Sequence, residues 1–162
     1  MTELRLLRHA HAGDPEKWTR PDAERPLSDK GRHQAARLGR LLAHTDEAPS
    51  LFITSPKVRA RETAEGVVAA IGARVRIVED VRLAGVLDLA TIDAIVRDAG
   101  DPTAPCLVGH DPDFSELLGQ LLGVGMIPMR KGAYARIDLA RPFATGRGTL
   151  RYLLPPDLLE GH

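Results

Sequence analysis

Arg8, His9, His11, Arg59 and His110 are the residues of this chain whose types and settings could do chemistry. In Leu4-Arg5-Leu6-Leu7-Arg8-His9-Ala10-His11-Ala12-Gly13 an apolar run leads straight into cations and then a glycine. Such groups are expensive to bury without partners. Arg59 stands shortly after Ser55-Pro56, and His110 directly follows the apolar run Cys106–Gly109. Guanidinium forks bind phosphate oxygens in pairs, and a neutral imidazole supplies a nucleophilic nitrogen. If the fold brings these residues together, they call for an anion, and a tetrahedral phosphoryl group suits them best.

The elements around them alternate. Leu4–Leu7 reads as a buried strand, and Ser28 caps a helix with Ala35, Leu38, Leu41 and Leu42 on one face. Leu51–Thr54 is a second strand, and Ser55-Pro56 reads as N-cap and first-turn proline of a helix carrying Ala60, Ala64, Val67, Val68 and Ile71. Val75–Val78 is a third strand, and Ile92, Ile95, Val96 and Ala99 form a helix starting from a Thr91 cap. Cys106–Gly109 is a fourth strand, after which Asp111-Pro112 opens a helix with Phe114, Leu117, Leu118, Leu121 and Leu122 inward. Tyr134–Leu139 and Thr149–Leu154 close the chain as strands. The expected class is α/β, a three-layer α/β/α sandwich with a mostly parallel central sheet. Arg8-His9, Ser55 with Arg59, and His110 then all follow strand ends, the edge at which open α/β sheets bind ligands. Helix N-termini point partial positive charge at the same place.

Composition narrows the function. A chain of 162 residues with 43% hydrophobic and 27% charged residues reads as one globular domain over 1–162. Lysine plus arginine balance aspartate plus glutamate at 22 each, so neither nucleic acid nor a membrane surface is the expected partner. No apolar run approaches the ~20 residues of a membrane span. Glu3 near the start and the lack of a signal-like apolar stretch lead us to expect a cytoplasmic protein. The single cysteine, Cys106, forms no internal disulfide and fits the core of a protein in a reducing compartment. The loosest stretches are Gly13–Pro26 and the Pro155–His162 tail.

Three blocks carry a family resemblance. Leu7-Arg8-His9-Ala10 resembles the Leu-Arg-His-Gly signature of the histidine phosphatase superfamily, which includes the phosphoglycerate mutases. Ser55-Pro56-Lys57-Val58-Arg59-Ala60-Arg61-Glu62-Thr63-Ala64 resembles its second block, and Val108-Gly109-His110-Asp111-Pro112 its third. Small size and Arg25-Pro26-Leu27-Ser28 bring the chain nearest to the bacterial phosphohistidine phosphatases. The resemblance implies a phosphoglycerate mutase-like fold, His9 as the phosphate-accepting nucleophile, Arg8 and Arg59 on the phosphoryl oxygens, and His110 completing the pocket, where we expect it to be protonated during transfer. It implies no cofactor and no metal, because fixed cations supply the charge. The substrate it implies is a phosphorylated protein or a small phosphate ester.

Two departures matter. Ala10 replaces the usual glycine, and no residue stands clearly where mutase-type members keep the glutamate that protonates the leaving group. Asp14, Glu79, Asp88 and Asp111 are the candidates for that acid, with Asp111 and Asp14 foremost. A site without one favours a leaving group such as imidazole, whose conjugate acid has a pKa near 6.5, over a sugar alkoxide. Two other readings stay open. His9-Ala10-His11 resembles the His-x-His metal pair of amidohydrolases, which leaves the arginines unexplained. A non-catalytic phosphate-binding or regulatory module would keep the arginines and tolerate loss of His9. His11 itself is placed on the rim.

Overall fold

Leucine- and β-branched-rich runs between turn residues become the strands of one sheet. The computed structural model describes residues 1–159, so residues 160–162 of the Pro155–His162 tail lie outside the described residues. The order is β1 (Thr2–Arg8), α1 (Asp29–Ala43), β2 (Leu51–Thr54), α2 (Val58–Ile71), β3 (Arg76–Glu79), α3 (Leu89–Asp98), β4 (Pro105–Gly109), α4 (Asp113–Leu122), β5 (Tyr134–Leu139) and β6 (Thr149–Leu154). The strands lie side by side as β3-β2-β4-β1-β5-β6. β1 to β4 are parallel, and β5 and β6 add an antiparallel edge.

Side chains leave a strand alternately to its two faces, so each strand feeds two cores. Leu4 and Leu6 pack with Ile92, Ile95, Phe114 and Leu117 of α3 and α4. Leu7 and Phe52 pack with Leu38, Ala64 and Val67 of α1 and α2. That is the three-layer α/β/α sandwich, and double coverage is why β2 and β4 are buried throughout and carry apolar runs rather than an alternating pattern. Arg5 breaks the apolar run of β1 yet is only 1% exposed. Its guanidinium donates to the Glu3 carbonyl at 2.8 Å and to Glu47 Oε2 at 3.3 Å. Glu47 also accepts from Arg136 and from the Tyr152 hydroxyl, each at 2.8 Å, which ties the segment after α1 to β5 and β6.

Four local expectations need correction. Ser28 caps α1 as expected, accepting from the Gly31 amide at 3.1 Å. Ser55 does not cap α2, which begins at Val58 behind Lys57. Its amide still donates to the Val108 carbonyl at 2.9 Å, so Ser55 prolongs the sheet and cannot also turn into the helix. The helix expected from Thr91 starts at Leu89, because Asp88 accepts the Thr91 amide at 2.7 Å and holds the first turn. The third strand lies one residue later than expected, at Arg76–Glu79. α4 starts at Asp113 rather than at Asp111-Pro112, although Asp111 Oδ1 still accepts the Ser115 amide at 3.0 Å.

The strand ends set up the site. The His9 amide donates to the Gly109 carbonyl at 2.9 Å, one step beyond the last β1–β4 pair. Ser55 makes the matching step from β2 to β4. His9, Ser55 and His110 therefore emerge from three neighbouring strands at the same edge. Gly109 is required there, because a Cβ at that position would lie 2.7 Å from the Phe114 ring that closes the sheet beneath.

Candidate active site

His9 is 6% exposed and sits with its ring centroid 5.2 Å from that of His110. Its Nδ1 lies 2.8 Å from the Ala10 carbonyl. A carbonyl can only accept, so Nδ1 carries the proton and Nε2 keeps its lone pair. Burial pushes the His9 pKa down to about 3; the Ala10 bond works against this, while His110, Arg59 and Arg8 reinforce it. At neutral pH His9 is thus an uncharged imidazole with a free Nε2. The backbone that presents it is braced from α2: the Ala10 amide donates to Thr63 Oγ1 at 3.0 Å, and Thr63 Oγ1 donates to the Arg59 carbonyl at 2.7 Å.

The two arginines are each held by their outer nitrogens. Arg8 Nη1 donates to the Met129 carbonyl at 2.8 Å and lies 3.4 Å from Asp111 Oδ2. Arg59 Nη1 donates to the Asp22 carbonyl at 2.9 Å and Nη2 to Asp22 Oδ2 at 3.0 Å. Six buried side-chain polar atoms among the described residues lack a hydrogen-bond partner, and Nε of Arg8, Nε of Arg59 and Nδ1 of His110 are three of them. Unpaired buried polar groups are costly, and these three belong to residues of one strand-end edge. Each guanidinium keeps its Nε–H for a ligand, and guanidinium N–H groups grip phosphoryl oxygens.

His110 Nε2 lies 2.8 Å from Ser55 Oγ, which also accepts the Lys57 amide at 3.2 Å. Ser55 is therefore neither cap nor nucleophile; it orients His110. Burial, followed by Arg59, Lys57 and Arg8, pushes the His110 pKa down to about 3. The protonated His110 expected from the sequence is corrected accordingly: its ring is neutral at pH 7 here, because it is half-buried among cations. A dianion at Nδ1 would reverse that balance.

Asp22 is the residue that sequence reasoning missed. It sits on the exposed loop between β1 and α1, and its carboxylate bridges Arg59 and Arg25, with Arg25 Nε at 3.3 Å. Burial works to raise its pKa, and the charge and hydrogen bond of Arg59 overcome that, so it lies below the ordinary aspartate value. The only signal in the sequence was proximity to Arg25-Pro26. Asp111 accepts from both the amide and the hydroxyl of Ser115, at 3.0 and 2.7 Å, and flanks Arg8. Asp14 is exposed and accepts the Glu16 amide at 2.9 Å. Glu79 lies 3.5 Å from Arg61, and Asp88 caps α3. His11 parts from His9: its Nδ1 lies 2.6 Å from Ser28 Oγ, and its carbonyl presses on Gly31, where a Cβ would lie 2.0 Å from the oxygen.

The two depressed histidine pKa values have a consequence for stability. A histidine that ordinarily titrates near 6.5 but stays neutral to about pH 3 in the fold binds its proton only on unfolding. Stability is fully present above pH 6.5 and is lost as pH falls towards 3, by about 1.4 kcal/mol per pH unit for each such histidine. Urea unfolding of the wild type and His9→Asn at pH 7, 6 and 5 checks this. The variant is expected to lose stability less steeply, and parallel losses would contradict it.

Comparison with known proteins identifies the family and the fold. Residues 4–105 match the histidine phosphatase superfamily (branch 1), and the chain belongs to that family. An uncharacterized protein of Picosynechococcus sp. is 35% identical over 84% of this chain and 88% of its own length. An uncharacterized chloroplastic protein of Arabidopsis thaliana is 26% identical over 76% of this chain and 60% of its own length. Among solved structures, the protein histidine phosphatase SixA in complex with tungstate superposes with a TM-score of 0.82 at 21% identity, covering 98% of this chain and all of SixA. YhfR of Bacillus stearothermophilus gives a TM-score of 0.71 at 20% identity, over 93% of this chain and 96% of its own. A mycobacterial glucosyl-3-phosphoglycerate phosphatase with bound VO3 gives 0.65 at 17%, over 94% and 98%. The fold is phosphoglycerate mutase-like.

Proposed function

We propose that this chain hydrolyses phosphohistidine or activated phosphomonoesters, without a metal, through a covalent phosphohistidine on His9 Nε2. The observation that carries this reading is the tautomer: Ala10 holds the proton on Nδ1, so the opposite nitrogen is a ready nucleophile. Arg8 and Arg59 grip the phosphoryl oxygens with their Nε–H groups, and His110, taking up a proton beside the dianion, donates from Nδ1. Attack by Nε2 forms the P–N bond as the bond to the leaving group breaks on the opposite side. Water then attacks phosphorus, the P–N bond breaks, and phosphate leaves with His9 neutral again.

The candidate acids bear on the substrate. Asp111 is occupied by Ser115 and Arg8, Asp14 by a backbone turn, and Asp22 is kept ionised by Arg59. None of them offers a proton at the pocket, which suits leaving groups that need none from the enzyme, foremost a phosphohistidine protonated at its other ring nitrogen, which departs as neutral imidazole. The likeness to the protein histidine phosphatase SixA points the same way. The test compares kcat/KM on a phosphohistidine protein, an aryl phosphate and an alkyl phosphate. The first two are expected to exceed the third by at least ~100-fold, the usual worth of a positioned proton donor. Equal rates on the alkyl ester would show that an acid is at work.

A further inference from the structure

Beside the phosphoryl pocket the chain gathers positive charge that phosphoryl transfer does not use. Gln34, 7% exposed on α1, is its hub. The Gln34 side-chain carbonyl accepts the His11 amide at 2.9 Å, and Gly132 lies against the same amide group. The Gly132 amide in turn donates to the carbonyls of Arg8 and His9, at 3.1 and 3.0 Å. Lys131 is therefore one residue from a backbone contact with the nucleophile. Lys30 precedes Gln34 by one helical turn and shares its face of α1. The His11 backbone, Lys30 on the same face of α1 and Lys131 beside Gly132 are thus all linked to one buried side chain on the rim of the site.

Nearby acids do not answer these cations. Asp22 is paired with Arg59 and Arg25, Asp29 with Arg32, and Asp157 with Arg130, while Glu62 accepts the Leu27 amide. Lys30 and Lys131 form no ion pair among the described residues. Burial lowers the pKa of half-buried Lys131, and Arg8, Arg25, Lys30 and Arg59 lower it further. Burial, Lys131, Lys30 and Arg25 likewise lower that of His11. Asp111 and Asp22 answer Arg8 and Arg59, a bound phosphoryl dianion adds negative charge at the same two arginines, and no acid among the described residues answers Lys30 or Lys131.

We propose that the rim formed by His11, Lys30 and Lys131 is a second anion subsite, which takes a negatively charged group carried by the leaving group of the substrate. The inference rests on the phosphatase reading above and adds a substrate class to it: phosphorylated compounds with a second anionic group near the phosphoryl. That group is a carboxylate or phosphate on a small ester, or an acidic side chain beside a phosphohistidine in a protein.

The test uses two aryl phosphates of the same shape, 4-carboxyphenyl and 4-carbamoylphenyl phosphate, which differ in charge. Wild-type protein is expected to prefer the carboxylate by about 5- to 10-fold in kcat/KM at low salt, the worth of one partly desolvated ion pair. The preference should shrink at 1 M salt, where the screening length is about 3 Å. In Lys131→Met combined with Lys30→Met the ratio should fall to near 1, whereas Arg147→Met, a lost charge elsewhere on the surface, should leave it intact. A second arm compares phosphohistidine peptides flanked by glutamate or glutamine. Preference in both arms assigns the subsite to a protein substrate, and preference in the aryl arm alone to a small ester. Turnover of all substrates with no charge preference, or a preference that survives the double variant, overturns the subsite while leaving the phosphatase reading in place. No turnover of any substrate by wild-type protein counts against the phosphatase reading instead.

Discussion

Replacing His9 by alanine is expected to lower kcat on an aryl phosphate by at least ~1,000-fold and to abolish covalent labelling of the protein by labelled substrate. No neighbour can take over. His11 Nδ1 is committed to Ser28, and the His110 ring is fixed through Ser55 at Nε2. Ser55 itself is engaged by Lys57 and His110 and has no base of its own. The trapped species in wild-type protein should be acid-labile and alkali-stable, as a phosphorylated imidazole is and a phosphoserine is not. Phosphate or tungstate should still bind the variant, because Arg8 and Arg59 are held by Met129, Asp111 and Asp22 rather than by His9. That pairing of lost turnover with retained anion binding separates a nucleophile from a general disruption of the pocket. Unchanged turnover in the variant would instead show that His9 is not the nucleophile, and would overturn the covalent phosphohistidine reading.

What the sequence made visible follows the range of the forces involved. Strands β1, β2 and β4 were legible because burial on both faces leaves continuous apolar runs, and the cations after them stand out against that background. Arg8, His9, Arg59 and His110 could be placed at one edge because parallel strands end together. Partners set by tertiary contact were not legible. Asp22 lies 37 positions before Arg59 in a charged loop that offers several acids of equal standing. Ser55 looked like a cap because Ser-Pro commonly is one, and only the Val108 and His110 contacts reveal its other use. Arg5 stands inside the strand read from Leu4–Leu7, and its burial depends on Glu47, 42 positions away. Lys131 gave no signal, since its setting depends on Gln34 and Gly132 meeting across the first loop.

Arg59→Ala is expected to act mainly on binding, raising KM and the dissociation constant for phosphate by roughly 30- to 150-fold. The size follows from the loss of charge-assisted hydrogen bonds to a phosphoryl group, about 2–3 kcal/mol after allowing for competition with water. Asp22 is what makes this a binding effect and not a folding one. It holds Arg59 by Nη1 and Nη2, is itself 56% exposed, and can return to solvent when the guanidinium is gone. The nucleophile does not depend on the Arg59 side chain, since Thr63 braces the Ala10 amide through its own hydroxyl and bonds only the Arg59 main chain. A lysine at position 59 restores the charge without the fork, so Arg59→Lys should recover only part of the loss. Isothermal titration with phosphate, alongside KM and kcat on the aryl phosphate, measures all three proteins on one scale. An unchanged phosphate affinity in Arg59→Ala would mean that the buried Nε–H of Arg59 faces no ligand, and that Asp22 is the partner this arginine exists to hold.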